Sequence, residues 1–285
     1  MISPAQPTSR AVERLLTSFI AATLLALTQL FVFPDQTSIS FAWTINPELS
    51  AAFMGAGFGA GFILVLRVRD RPHWAEVRLS YATILAFTIV TLGVTLAHLD
   101  SFHFDAGGWA EVAAWIWLAV YVTAPIAMTI VGRRQLAAPG VDPPIRHPMP
   151  AWLRSLLLLE SAVMVGYGIA LLIAPSGMPW PWPLTPLVGR AIAAWLIPLG
   201  IAAWGARREL DLARLKEPAL AFVVFAALAL VAIGRFSDQM DWASPSAYIL
   251  VLWLLVLAAT GIRGVLPGGR EPRRPASPIP SPPPS

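Results

Sequence analysis

Residues 180–190 read WPWPLTPLVGR and join two long apolar runs of the chain. Shifted back by 139 positions, the first seven of these residues lie over FAWTINP, residues 41–47. Further matches occur at the same spacing: Trp182 with Trp43, Pro186 with Pro47, Gly200 with Gly61, Arg208 with Arg69 and Glu209 with Asp70. We therefore predict that the chain is a duplication of one structural unit.

The composition indicates a polytopic membrane protein. Of 285 residues, 56% are hydrophobic and 13% are charged, and the mean hydropathy is +0.66. Soluble domains are about 45–50% apolar and about 25% charged. The chain has no cysteine, which excludes disulfides, thiolate metal sites and cysteine nucleophiles. The pI is near 10.1, but the arginines stand in small groups beside apolar runs, a topological pattern, so no nucleic-acid partner is expected.

Eight apolar runs predict the fold, since a helix that crosses a bilayer needs roughly 20 mainly apolar residues. The runs are Leu15–Phe33, Ser50–Leu66, Leu79–Ala97, Trp109–Ile130, Leu153–Ala174, Leu187–Trp204, Pro218–Gly234 and Ser246–Val265. We predict an all-α protein with eight transmembrane helices, arranged as two four-helix repeats. Because four is even, both repeats enter the membrane from the same side and are predicted to be parallel, related by an axis along the membrane normal.

The basic residues alternate between successive loops. The loops after the second, fourth and sixth runs, and the C-terminal tail, each carry a group of them, whereas the first, third and fifth loops carry none. The seventh loop carries only Arg235. By the positive-inside rule both termini are predicted to be cytoplasmic, in a bacterial plasma membrane.

These patterns divide the chain into five predicted segments. They are a cytoplasmic N-terminus over residues 1–14, the first repeat over 15–134, a cytoplasmic linker over 135–152, the second repeat over 153–265, and a cytoplasmic tail over 266–285. The tail is rich in proline and is predicted to be disordered, because it cannot bury a core.

The aromatic residues of the two matched stretches are predicted to lie at headgroup level, where an indole is stable. These residues are Trp43, Trp180 and Trp182. Thr185–Pro186 and Asn46–Pro47 each read as an N-cap followed by the first residue of a helix. An alternative is that the two stretches frame an external mouth, together with Asp238 and Asp241 of the last external loop.

The stretch from Trp180 to Arg190, with the AIAAW that follows, resembles a pattern shared by uncharacterised multi-pass membrane proteins of GC-rich bacteria of the actinobacterial type. The resemblance covers only this stretch and the start of the sixth helix. It implies no activity, because none is known for that group. The use of arginine for every basic residue except Lys216 agrees with such a source.

Charged residues inside spans are expensive and are treated as functional hypotheses. Glu160 lies in the fifth run, with Tyr167 on the same helical face. It is either a structural residue bonded to another helix or part of a proton-relay or substrate site. Arg190 begins the sixth run and is predicted either to reach the interface or to bind Asp238 and Asp241. Glu160 and Arg190 lie in different leaflets, so a direct pair between them is not expected.

A third candidate is the external stretch HLDSFHFD, residues 98–105. His98, Asp100, His103 and Asp105 are all capable of binding a divalent metal, although their spacing is not diagnostic. No other cofactor is predicted, since no nucleotide loop, nucleophile elbow or metalloprotease motif occurs. The GAGFGAG of residues 55–61 lies within a span and predicts close helix packing.

Three classes of function remain open from the sequence. The first is a binding or transport-like membrane protein, not an enzyme, with its site between the two repeats. The second is a structural or assembly protein without a ligand site, and the third is a membrane-embedded enzyme that acts on a lipid-like substrate. Expected partners are membrane lipids and either another membrane protein or a second copy of the chain. A cavity between the repeats that contains Glu160 or Arg190 would favour the first class, and a densely packed midline the second.

Overall fold

A computed structural model describes residues 4–266 of the chain. Within these residues the fold is all-α, and its only extended pairings are isolated bridges. Eight of its helices are long and apolar enough to cross a membrane. The predicted disordered tail lies outside the described residues, apart from Leu266.

The eight predicted spans are confirmed as helices, several of them longer than their apolar runs. A short α-helix of one turn, α2, covers Thr37–Ser40 and was not predicted. Helix α1 continues as a π-helical turn over Thr28–Val32. The long helices are α1 Arg10–Leu27, α3 Glu48–Val68, α4 Trp74–Leu96, α5 Gly108–Leu136, α6 Ala151–Ile173, α7 Pro186–Glu209, α8 Lys216–Arg235 and α9 Pro245–Val265.

The loops alternate between the two ends of the helix bundle, as predicted. At one end, which we call the arginine end, Trp74 N–H donates to Gln6 O at 3.0 Å and Met149 N–H donates to Leu210 O at 3.0 Å. These bonds join the N-terminal segment to the α3–α4 loop, and the α5–α6 loop to the α7–α8 loop. The remaining loops meet at the opposite end, which we call the tryptophan end because it holds Trp182.

The two halves make equivalent backbone contacts. At the tryptophan end, His103 N–H donates to Ala42 O at 2.9 Å, and 138–139 positions later Asp241 N–H donates to Pro181 O at 2.7 Å. At the arginine end, the isolated antiparallel bridge between Pro7 and His73 has its counterpart between Pro148 and Asp211. These pairs support the predicted duplication, which stays a prediction.

Helix packing differs between the halves. In the second half α6 lies closely on α7, where a side chain on Gly200 would meet Val165 at 2.6 Å. In the first half α1 and α3 are less closely packed, and a side chain on Gly61 would meet nothing nearer than 3.9 Å. The predicted close packing of GAGFGAG holds at its first three glycines, since a Cβ on Gly55, Gly57 or Gly59 would clash with a neighbour.

The two predicted helix starts have different outcomes. Thr185 caps α7, and its hydroxyl accepts from Val188 N–H, with Pro186 as the first helical residue. The prediction for Asn46–Pro47 is wrong, because α3 begins one residue later, at Glu48. The free amide of Leu49 instead donates to the side-chain oxygen of Gln239 at 2.9 Å, so the second half of the chain caps this helix.

Candidate functional site

The first half of the bundle contains a cavity of about 170 Å³. Residues of α1, α3, α4 and α5 form its walls, and residues of α7 and α8 close it from the second half. Its size is similar to that of an engineered apolar cavity of about 150 Å³ that stays dry and binds benzene. The site therefore lies mainly inside the first half of the bundle, not midway between the two halves.

The cavity is elongated and opens sideways. On α1 its lining extends from Phe19 to Gln29, which corresponds to about 15 Å along a helix. We infer that the opening lies between α1 and α5, because these two helices pack only loosely on each other. Lining residues there are also exposed on the outer surface, Leu25 on α1 and Ile116 on α5. In a bilayer this opening would face acyl chains rather than water.

Aromatic rings form one continuous wall of the cavity. The ring centroids of Phe87 and Trp195 lie 4.1 Å apart, and those of Trp117 and Tyr121 lie 4.4 Å apart. Phe58 connects the two pairs, at 5.1 Å from Trp195 and 6.1 Å from Trp117. All five side chains line the cavity, and we call them the aromatic wall.

Most of the polar side chains around the cavity are already bonded within the protein. Thr23, Thr83 and Thr88 donate to carbonyls of their own helices at 2.8–2.9 Å. The Gln29 amide donates to Ser40 O. Within residues 4–266 the exceptions are Tyr121, which is 5% exposed and whose hydroxyl forms no hydrogen bond, and the more exposed Trp109 and Trp195, whose indole N–H groups form none. The cavity therefore offers an apolar surface with a few unpartnered donors, and Tyr121 is the most buried of the residues that carry them.

The sequence did not identify this cavity. Gly61 was recognised as the counterpart of Gly200, but the pattern cannot tell that one is open and the other packed. The difference comes from the neighbouring helix, since Gly200 faces Val165 and Ser161 on α6, whereas Gly61 faces Thr23 on α1 at 3.9 Å. A signal exists in the small residues Ala22 and Ala26, which line the cavity on α1 near that point.

Glu160 packs against protein, as predicted. It is 4% exposed, and the Thr260 hydroxyl donates to its Oε1 at 2.7 Å across the α6–α9 interface. Its other oxygen is buried without a partner among the described residues. Tyr167 is bonded elsewhere, because its hydroxyl donates to Pro179 O at the tryptophan end. Neither Glu160 nor Tyr167 lines the cavity, so their functional role stays a hypothesis.

Arg190 does not bind the acidic residues expected for it. Its Nε donates to Leu172 O at 3.0 Å and one of its terminal nitrogens donates to His98 Nε2 at 2.7 Å. Burial, and next the positive charge of Arg190, lower the pKa of His98, which agrees with a neutral imidazole that accepts this bond. Asp238 and Asp241 are exposed instead, because Arg190 is already held by α6 and the α4–α5 loop.

The depth of the matched tryptophans in a membrane stays a prediction, but two of the three are buried inside the protein rather than exposed at its surface. Trp43 and Trp182 are each only 3% exposed. Trp182 donates from its indole nitrogen to Ser50 Oγ at 2.9 Å, and Trp43 packs against Phe102 at 5.0 Å. They are core residues because the loops fold inward over the helix ends. Trp180 is partly exposed and packs on Trp182 at 5.1 Å.

The candidate metal ligands are not brought together. Within residues 4–266, no group of three or more His, Asp or Glu side chains is arranged to hold a metal ion. His98 contacts Arg190, while His103 contacts Thr44 Oγ1 and Phe41 O at 3.0 Å each. Asp100 and Asp105 are exposed.

Comparison of the chain with family models, curated proteins and solved structures finds no match. The function must therefore be argued from the geometry of the chain itself.

Proposed function

We propose that this chain is a non-enzymatic, binding or transport-like membrane protein whose ligand is an apolar molecule taken up from the bilayer. The observation that carries the proposal is the cavity of about 170 Å³, whose lining includes exposed residues of α1 and α5. Relative to the expectation from sequence, the proposed site moves from the repeat interface near Glu160 and Arg190 into the first repeat.

An apolar ligand follows from the chemistry of the walls. Ligand pockets are mostly apolar, with a few polar groups that orient the ligand. A polar molecule in this cavity would lose its hydrogen bonds to water and find few free donors in return, at a cost of several kcal/mol. A hydrocarbon loses nothing comparable and gains dispersion contacts that an empty cavity lacks.

The alternatives have less in their favour. A membrane-embedded enzyme needs acid–base groups beside its substrate, and Tyr121 is the only ionisable side chain that lines the cavity. A structural or assembly protein without a ligand is favoured by the second half, where glycines allow close packing of α6 on α7 and of α8 on α9. In our proposal the closely packed second half instead provides the rigid side of the site that α7 and α8 form.

The proposed location is the plasma membrane of a bacterium, with the arginine end and both termini in the cytoplasm. Reporter fusions after Arg134 and after Arg208 should read cytoplasmic, because both positions lie beside basic loops. A fusion in the loop of residues 175–180 should read external. A cytoplasmic reading from this last fusion would overturn the orientation.

The variant Gly61→Leu tests the cavity directly. Its Cβ has space, and the rest of the leucine side chain extends into the cavity, so ligand affinity should fall roughly tenfold or more, as expected when overpacking costs over 1 kcal/mol. The matched control is Gly93→Leu, an exposed helical glycine of α4 with open space around it.

Binding is measured by calorimetry on the protein in nanodiscs, corrected with empty nanodiscs, using 2-methylnaphthalene and n-dodecane as probes. Wild type and Gly93→Leu should bind at least one probe with equal affinity, and Gly61→Leu should not. Size-exclusion and circular dichroism establish that both variants are folded. Wild type that binds neither probe, or a folded Gly61→Leu that binds like wild type, would refute the proposed function.

A further inference from the structure

We infer that the ligand carries a flat ring with a carbonyl oxygen, as quinones and aromatic ketones do, and that this oxygen accepts a hydrogen bond from Tyr121. The inference rests on the proposed function and adds the chemical class of the ligand. Two features carry it: the aromatic wall, and the unpartnered hydroxyl of Tyr121, which is one of the rings of that wall.

The aromatic wall favours a flat ring over a saturated chain. Its five rings meet at tilted or edge-to-face angles, with Phe58 and Trp195 at 87° and Phe58 and Trp117 at 72°. Edges and faces therefore point in several directions around the cavity. A flat ring can make offset or edge-to-face contacts with several of them at once, which a saturated chain cannot.

The Tyr121 hydroxyl lacks a hydrogen-bond acceptor, and it lies near the middle of a helix that we expect to cross the membrane. Tyr121 stands 13 residues after Gly108, the first residue of α5, in a helix of 29 residues, and so lies near its middle. A buried donor without a partner is costly. The threonine hydroxyls of the lining already donate to backbone carbonyls. An oxygen on the ligand would satisfy this donor.

The depth of Tyr121 also argues against an ordinary phospholipid. The hydrocarbon core of a bilayer is about 30 Å thick, so its middle is about 15 Å from either headgroup layer. Phosphate and ester groups stay near those layers, and the part of a phospholipid that could reach Tyr121 is its acyl chain, which has no acceptor. A membrane-soluble ring with a carbonyl can carry its acceptor to this depth.

A matched pair of probes measures how much the carbonyl oxygens contribute to binding affinity. The compound 2-methyl-1,4-naphthoquinone has the ring and methyl group of 2-methylnaphthalene and adds two carbonyl oxygens. The absence of cysteine from the chain means that this quinone cannot be trapped as a thiol adduct. Both probes are titrated by calorimetry into wild type, Tyr121→Phe and the control Tyr248→Phe, which changes an exposed tyrosine of α9.

Wild type and Tyr248→Phe should bind the quinone roughly three- to tenfold more tightly than the hydrocarbon, the factor that a net hydrogen bond supplies. Tyr121→Phe should lose this preference while it binds the hydrocarbon as wild type does. The bound quinone should also show a carbonyl infrared band at lower frequency in wild type than in Tyr121→Phe.

Two outcomes separate this inference from the proposed function. If the hydrocarbon binds and Gly61→Leu abolishes its binding, but Tyr121→Phe leaves the quinone affinity unchanged, the cavity function stands and the carbonyl inference falls. If n-dodecane binds and neither ring compound does, the inference also falls. If none of the probes binds to wild type, both proposals fail together.

Discussion

Replacing Asp211 by alanine should lower the free energy of unfolding by about 3 kcal/mol, because three backbone donors would lose a buried charged acceptor. Asp211 is 2% exposed and lies at the arginine end. Its Oδ1 accepts from the N–H groups of His147 and Ala213, and its Oδ2 from that of Arg146, each at 3.0 Å. One side chain thus joins the α5–α6 loop to the α7–α8 loop.

Asparagine at the same position should cost roughly half as much. Its single oxygen can keep the bonds to His147 and Ala213, whereas its amide group would point at the N–H of Arg146 and cannot accept from it. The control is Asp70→Ala, since the Asp70 side chain is 62% exposed and pairs only with neighbouring Arg69. An exposed pair of this kind contributes about 0–1 kcal/mol.

Because the pKa of Asp211 is lowered in the folded protein, we also predict that the protein loses stability in acid. Burial alone would raise the pKa of Asp211, but the three N–H donors and the charge of Arg214 hold it below its ordinary value. The stabilisation is therefore complete above the unfolded pKa, about 3.9, and is lost as the pH falls below it. Thermal unfolding in detergent from pH 6 to pH 3 should show a larger loss for wild type than for Asp211→Asn. Equal losses, or Asp211→Ala as stable as Asp70→Ala, would contradict this account of the loop junction.

Hydropathy predicts the spans of this chain well because backbone groups in hydrocarbon must bond within one helix, which forces long apolar helices. The arginine groups predict the alternation of loops for a similar reason. The arginines also form ion pairs between helices, which a count of basic residues per loop cannot predict. Arg78 of α4 donates two hydrogen bonds, of 2.7 and 2.6 Å, to Glu209 of α7. The partner of each arginine depends on how the halves meet, which the loop pattern does not encode.

The tryptophans of the matched stretches illustrate a second limit. Trp43 and Trp182 are part of the pattern that predicts the duplication, yet their burial could not be inferred, because an indole is stable both at an interface and in a core. Hydropathy also cannot distinguish a helix face that meets lipid from one that meets protein. The cavity depends on that distinction, and so the sequence alone directed attention to Glu160 rather than to Tyr121.

Alanine at the two matched glycines should change stability in opposite directions. Gly61→Ala should stabilise the protein by about 0.5–1 kcal/mol, because alanine favours the helix and its Cβ would make only ordinary van der Waals contacts, at 3.9 Å. Gly200→Ala should destabilise it by about 1–3 kcal/mol, the usual cost of overpacking. Its Cβ would lie 3.0 Å from the backbone nitrogen of Val165 and 3.1 Å from the carbonyl oxygen of Ser161, and neither can move without shifting α6.

Thermal unfolding of the two variants and of wild type, in one detergent, measures both changes. The pair is matched in residue type, in substitution and in position within the predicted repeat, so helix propensity cancels in the comparison. A stabilised Gly200→Ala would mean that α6 and α7 are not closely packed there, and a destabilised Gly61→Ala would mean that the cavity wall is already full. Opposite signs would instead establish that the second half is closely packed around Gly200, while the first half has space beside Gly61 in which a ligand can bind.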